Sequence, residues 1–271
     1  MVLCNGKMTD HKTEQQFVDG FNMKKFGELG NREKEFIVLL NDNTILPDNC
    51  MIKAYDKTKS VQPSQQYVKM FTKKNLQKPK RDVVIEIDNK IKKISLKSGT
   101  ANSFHQEIWH KFQTRLKFLH ASADEIEAFH NFIHSRDRSY FTDHGIECPQ
   151  HGFSIKAPDF CDNHSKQKKL MQRFLDKNAK SLLEHIIKKG YCSEEGWAEF
   201  IFHGEKNNIL SNFKFGKIDL IINDILTSSK KSHADLHLGQ LTFQRWNTCP
   251  KDKSKLNSIQ LKGGTIKDFL K

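Results

Sequence analysis

The chain has 271 residues, 28% charged and 37% hydrophobic, with 45 Lys and Arg against 32 Asp and Glu, a formal net charge of +13. That length can bury a real core, and 20 Phe with regularly spaced Ile and Leu exclude a wholly disordered chain. No apolar run reaches the roughly 20 residues that span a bilayer, and the first residues carry no signal-peptide core, so a cytoplasmic protein is expected. The 6 cysteines are scattered, which points to reduced thiols and not to a disulfide framework.

Taken in chain order, residues 13–40 read as helical, with a break near Gly27 and Gly30. Residues 56–80 are polar and basic, and a hairpin pattern follows over 82–97. From Lys69 to Lys97 there are ten Lys or Arg and three acids. Such a field attracts polyanions, and nucleic acid is the commonest one. Coding bias toward Lys is the ordinary alternative.

A helix is expected from Ser103 to about Leu119: Ser103 and Gln106 have capping-box form, and Phe104, Ile108, Phe112, Leu116 and Leu119 make one apolar stripe. Residues 123–134 read as a second helix and 140–165 as irregular. Residues 166–189 form an amphipathic helix that Gly190 closes. Strands are expected at Trp197–Phe202, Phe213–Ile222, Leu238–Trp246 and Leu256–Lys262. Helices flanking a mixed sheet give an α/β (α+β) class, read as a single domain over 1–271 with an irregular insert at about 140–165.

The segment Arg81–Gly99, RDVVIEIDNKIKKISLKSG, carries the chemistry. A turn centred on Asn89-Lys90 would set Asp88 against Ile91 and Asp82 against Lys97. Alternation then puts Val83, Ile85, Ile87, Ile94 and Leu96 on one face. Asp82, Glu86, Asp88, Lys93, Ser95 and Lys97 fall on the other. A carboxylate beside a lysine suits phosphodiester hydrolysis: Asp82 binds a divalent metal, and Lys97 positions the attacking water and offsets developing charge. The ordinary alternative is a solvated cross-strand ion pair.

With Pro79 ahead of it, this segment resembles the core of the PD-(D/E)xK nuclease superfamily, which includes many restriction endonucleases. In that family a proline-acid motif begins one strand and an acid-x-Lys motif lies on the next. Pro79 with Asp82 matches the first motif, and Ser95-Leu96-Lys97 matches the second except that Ser95 replaces the acid. SLKSGTANSFHQE, LGQLTFQRWN and SIQLKGG also resemble strings from bacterial restriction-like proteins. The resemblance implies a restriction-endonuclease-like mixed sheet and a Mg²⁺-dependent DNA endonuclease acting on double-stranded DNA as a homodimer. Asp82 and Glu107 would be the Mg²⁺ ligands, and Asp82, Lys97 and Glu107 the catalytic group. Glu107 would swing back from the first turn of the 103–119 helix, in the manner of migrated acids in this superfamily. Helix-dipole stabilisation is the other reading of Glu107.

Glu28 and Glu35 are candidate further acids from the first helix. Asp219, with the Gln260-Leu261-Lys262 pattern, is a second candidate centre. Lys93, Gln106, Gln244, Arg245, Gln260 and Lys262 are the candidate DNA contacts, because Arg, Lys and Gln grip phosphates and read base edges. Cys148-x-x-His151 and Cys161-x-x-His164 form a candidate structural zinc set, and CPQHGF is similar to small zinc-binding segments. Two alternatives stand beside the nuclease: a non-catalytic nucleic-acid-binding protein on a degenerate nuclease fold, and a zinc-containing RNA-binding protein.

Overall fold

The computed structural model describes residues 7–56, 62, 79–99, 103–134, 161, 164–227, 236–245, 258–262 and 266–270. Where the sequence reads as one domain, the chain divides into two compact units. Unit 1 comprises Met1–Ala101, Ile187–Ile221 and Thr265–Lys271; unit 2 comprises Asn102–Ile186 and Ile222–Gly264. Both are mixed α/β. No helix among the described residues is long and apolar enough to cross a membrane.

Unit 1 opens with helix α1 (Lys7–Phe21), the short strand β1 (Lys24–Lys25) and helix α2 (Asn31–Leu40). Then come β2 (Met51–Asp56), β3 (Val83–Ile87) and β4 (Lys90–Ser98), and after the long excursion into unit 2, β6 (Phe200–Gly204) and β7 (Lys214–Lys217). The sheet order is β1-β2-β3-β4-β6-β7. Every pairing is antiparallel except β4 with β6, which is parallel. A parallel pair needs a crossover, and here residues 99–199 supply it.

One face of this sheet meets α1 and α2 through phenylalanines. Phe17, Phe21 and Phe36 from the helices join Phe202 and Phe215 from the strands, all buried, with Val83, Ile85, Ile94 and Leu96 in the same core. Phe202 stacks on Phe213 at 4.5 Å between ring centroids and meets Phe17 and Phe36 edge-on at 5.0 Å. The offset and edge-on geometry is what ring quadrupoles favour.

Unit 2 holds β5 (Ser103–Ile108), α3 (Trp109–Phe118), α4 (Ala123–His134), α5 (Ser165–Lys177) and α6 (Ala179–Leu183). Its antiparallel sheet, in the order β5-β10-β9-β8, is completed by β8 (His237–Leu238), β9 (Leu241–Arg245) and β10 (Ser258–Lys262). Phe112 of α3 and Phe129 of α4 pack against Phe243 of β9.

Three expectations change. Residues 103–108 are strand, because β10, about 150 residues downstream, pairs with them. The helix therefore begins at Trp109. Residues 218–227 are helix α7 (Ile218–Thr227), not strand. Ile218, Ile221, Ile222 and Ile225 are all buried, at the spacing of one helical face. The 166–189 helix is broken into α5, α6 and a π-helical stretch Glu184–Lys189, yet it ends as expected at Gly190, whose φ of 61° is the left-handed conformation of a C-cap.

Candidate active site

The β3–β4 hairpin places the motif residues. Asp88 and Asn89 occupy its two turn positions with φ of 47° and 62°. Two successive left-handed residues make the turn whose twist suits a hairpin, and Asp and Asn tolerate that conformation where Lys does not. The turn therefore sits one residue earlier than expected. Ile87 pairs with Lys90 and Val83 with Ile94, so Asp82 meets Ser95 and not Lys97. This slip of two residues leaves the faces unchanged, because the side-chain period is also two. Val83, Ile85, Ile87, Ile94 and Leu96 are buried together as expected.

Asp82 stands just before β3. Its Oδ2 accepts hydrogen bonds from the Leu96 backbone N–H at 2.7 Å and the Ser95 hydroxyl at 3.1 Å. Among the described residues no bond reaches Oδ1. The serine that stands where an acid was expected thus helps to fix the carboxylate through one oxygen. Lys97 lies two residues beyond Ser95 on the same face, half-buried, with no hydrogen bond or ion pair among the described residues. Its partner across the parallel β4–β6 ladder is His203, which is buried.

Arg81 adds a feature that the sequence reading counted only as one more basic residue. It is 2% exposed, and its Nη2 lies 3.7 Å from the exposed Glu195 carboxylate. Its Nε and Nη1 find no hydrogen-bond partner among the described residues. This buried guanidinium is weakly compensated, and its charge acts on Tyr55 and Cys192, which sit in its neighbourhood. Only burial distinguishes it from its neighbours in the basic run, and burial is a tertiary property.

Lys93 sits elsewhere on the strand. Four residues before Lys97, or about 13 Å along a strand, it lines a cleft of about 290 Å³ with Lys188, Glu199, Lys217 and Asp219. The charges there are matched. Lys93 Nζ donates to the Glu194 carbonyl at 2.9 Å, and Lys188 Nζ lies 2.8 Å from both Asp219 oxygens. The Lys92 ammonium at 3.4 Å, with Lys217 farther off, holds the Asp42 carboxyl below the usual carboxylate range. Asp219, expected on a strand, is in the first turn of α7 and engaged with Lys188. Glu28 is used locally, accepting from the Lys25 backbone N–H at 2.9 Å, and Glu35 pairs with Arg32.

The other candidates belong to unit 2. Gln260 of β10 has Gln106 and Gln244 as its two cross-strand partners, so the three glutamines form a row across the sheet. Lys262 follows on the same face, and Gln106 Nε2 donates to Ser258 Oγ at 3.2 Å. Alternation turns Glu107 and Arg245 to the opposite face, flanking Ile259. There Arg115 Nη2 lies 3.2 Å from Glu107 Oε1, with both side chains 2% exposed. Arg245 Nη1 donates to the Phe132 carbonyl at 2.8 Å. Glu107 is therefore a buried strand residue paired with Arg115, not an acid at a helix N-terminus. Arg245 is inside the unit and does not line a cleft with Gln244.

A Mg²⁺ ion is held by one or two carboxylates together with substrate phosphates and water. Asp82 Oδ1 meets the lower of these requirements. Among the described residues no three or more His, Cys, Asp and Glu side chains are grouped to hold a metal. The residues thus fit an ion whose shell the substrate completes. Of the zinc set, Cys148 and His151 lie outside the described residues. Cys161 is buried, and burial holds the His164 imidazole below its ordinary pKa. No family model matches the sequence, and no curated protein matches it.

Proposed function

We propose that unit 1 is a metal-dependent endodeoxyribonuclease with Asp82 as metal ligand and Lys97 as the positioned cation. The observation that carries this reading is the placement of the two residues. They share one face of neighbouring antiparallel strands, with Asp82 Oδ1 and the Lys97 ammonium both without partners among the described residues. The mixed sheet flanked by helices, with its one parallel pair, supports the restriction-endonuclease-like fold that the motifs suggest. A bound Mg²⁺ supplies Lewis acidity toward a phosphodiester. The chain's own part follows from its geometry. Ser95 and the Leu96 N–H orient the Asp82 carboxylate, and Lys97 places charge beside the attacked phosphate. The excess of basic residues draws in the polyanion; Gln260, expected as a contact, is only 4% exposed, so Gln106, Gln244 and Lys262 are the side chains of that face that offer donors and acceptors to bases and phosphates. A homodimer would supply one centre for each strand of the duplex.

A second reading, non-catalytic binding of nucleic acid on the same fold, is favoured by one observation: a hydroxyl stands where a second carboxylate is expected, and it is engaged with Asp82. The test incubates plasmid and phage DNA, methylated and unmethylated, with wild type, Lys97→Ala and Asp82→Asn, with and without Mg²⁺. Discrete Mg²⁺-dependent fragments from wild type alone support the nuclease. Retained binding with no cleavage of any DNA supports the second reading, and cleavage retained by Lys97→Ala removes this centre.

A further inference from the structure

Unit 2 carries a pair of imidazoles that the proposed function does not use. His130 and His134 lie four residues apart on α4, so helical geometry puts them on one face. Their ring centroids are 4.4 Å apart and the planes are inclined by 45°. Trp109, the first residue of α3, sits beside both, at 5.4 Å from His130 and 6.0 Å from His134. All three residues are partly exposed, while the His134 Nε2 atom itself is buried. No hydrogen bond or ion pair engages His130 among the described residues.

We propose that His130 and His134 form a two-imidazole site for a late first-row divalent ion such as Zn²⁺, Ni²⁺ or Cu²⁺. Neutral imidazole is a ligand these ions favour, and two histidines at this spacing on one helix are a known chelating pattern. With metal–nitrogen bonds of about 2.0–2.1 Å, rings this close bring two donors within reach of one ion. Two protein ligands leave coordination positions to water, so the site is exchangeable and open to a further ligand. It stands independently of the nuclease reading.

Trp109 makes the site readable, since a bound Cu²⁺ or Ni²⁺ quenches a neighbouring indole. The full-length protein, freed of metal, is titrated with Cu²⁺, Ni²⁺ and Zn²⁺ at about pH 7.5, where imidazole is neutral. Quenching is followed for Cu²⁺ and Ni²⁺, and Zn²⁺ is read by its competition with them. Wild type is compared with His130→Ala, His134→Ala and Trp109→Phe. The expected result is a saturable quench that Trp109→Phe abolishes, with the affinity order Cu²⁺ > Ni²⁺ > Zn²⁺. Each histidine variant should weaken binding by roughly tenfold or more, and acidification to about pH 5 should release the ion. Should an alanine variant fail to fold, the same titration is run on His130→Gln and His134→Gln, with the imidazole proton resonances of the wild type as an independent reading. An unchanged quench in the histidine variants, or a quench that survives Trp109→Phe, overturns the proposal.

Discussion

On the unit 1 sheet, the face against α1 and α2 is wholly apolar, from Val83 and Ile85 to Phe202 and Phe215. On the unit 2 sheet, the face against α3 and α4 carries Glu107 and Arg245 on either side of Ile259. Both arrangements bury hydrophobic area, but they use their ionisable residues differently. Unit 1 keeps Asp82, Lys93 and Lys97 off its phenylalanine core, where side chains remain able to meet a ligand. Unit 2 encloses Glu107 with Arg115 and binds Arg245 to a helix carbonyl. Two acids that look equally eligible in the sequence, Asp82 and Glu107, therefore differ in what they can do. A carboxylate already matched by a buried guanidinium is expensive to recruit elsewhere, because its departure strands the arginine in an apolar setting.

Substitutions separate the two kinds of face. Phe202→Ala should destabilise the protein most, by about 3–5 kcal/mol in urea unfolding, since Phe202 touches rings from α1, α2 and the sheet edge. A loss below about 1 kcal/mol would mean that the aromatic layer is not the core of unit 1. Glu107→Ala comes next, at about 3–4 kcal/mol, with Arg115→Ala showing a non-additive cost in the double mutant. Were Glu107 a metal ligand, its removal would instead abolish cleavage and leave the unfolding midpoint nearly in place.

The hairpin register gives a smaller effect. Asn89→Val puts a β-branched residue at φ 62° and should cost about 1–3 kcal/mol, whereas Asn89→Gly should be neutral or stabilising. Equal costs for the two would contradict the turn at Asp88-Asn89. The smallest effect is on pH dependence. His164 has its pKa lowered by burial, so the unfolded chain binds its proton first as pH falls. Its contribution is present above the ordinary imidazole pKa, near 6.5, and is lost as the pH drops below that value. Comparing wild type with His164→Gln between about pH 8 and pH 5 should show a shallower acid decline in the variant; parallel profiles would exclude the contribution.

Local pattern alone determined a good deal of this protein. The period-two run from Val83 to Leu96 specified which residues enter the core, and the result survived a wrong turn position because a two-residue slip preserves the face. Gly190 marked its helix end through a conformation that side chains with a Cβ avoid. That Asp82 and Lys97 share one hairpin face was legible, but their direct pairing was not: the register sets Asp82 against Ser95. Tertiary structure decided the rest. Residues 103–108 carry a helical stripe, yet β10 captures them as a strand, since pairing across 150 residues outweighs weak local propensity. The run Ile218–Ile225 reads equally as strand or helix until its buried face is known. The burial of Arg81, the pairing of Glu107 with Arg115 and the meeting of Trp109 with His130 and His134 join groups whose positions only the packed chain fixes. No spacing rule reaches them, because side-chain environment is set by long-range contacts rather than by neighbours in sequence.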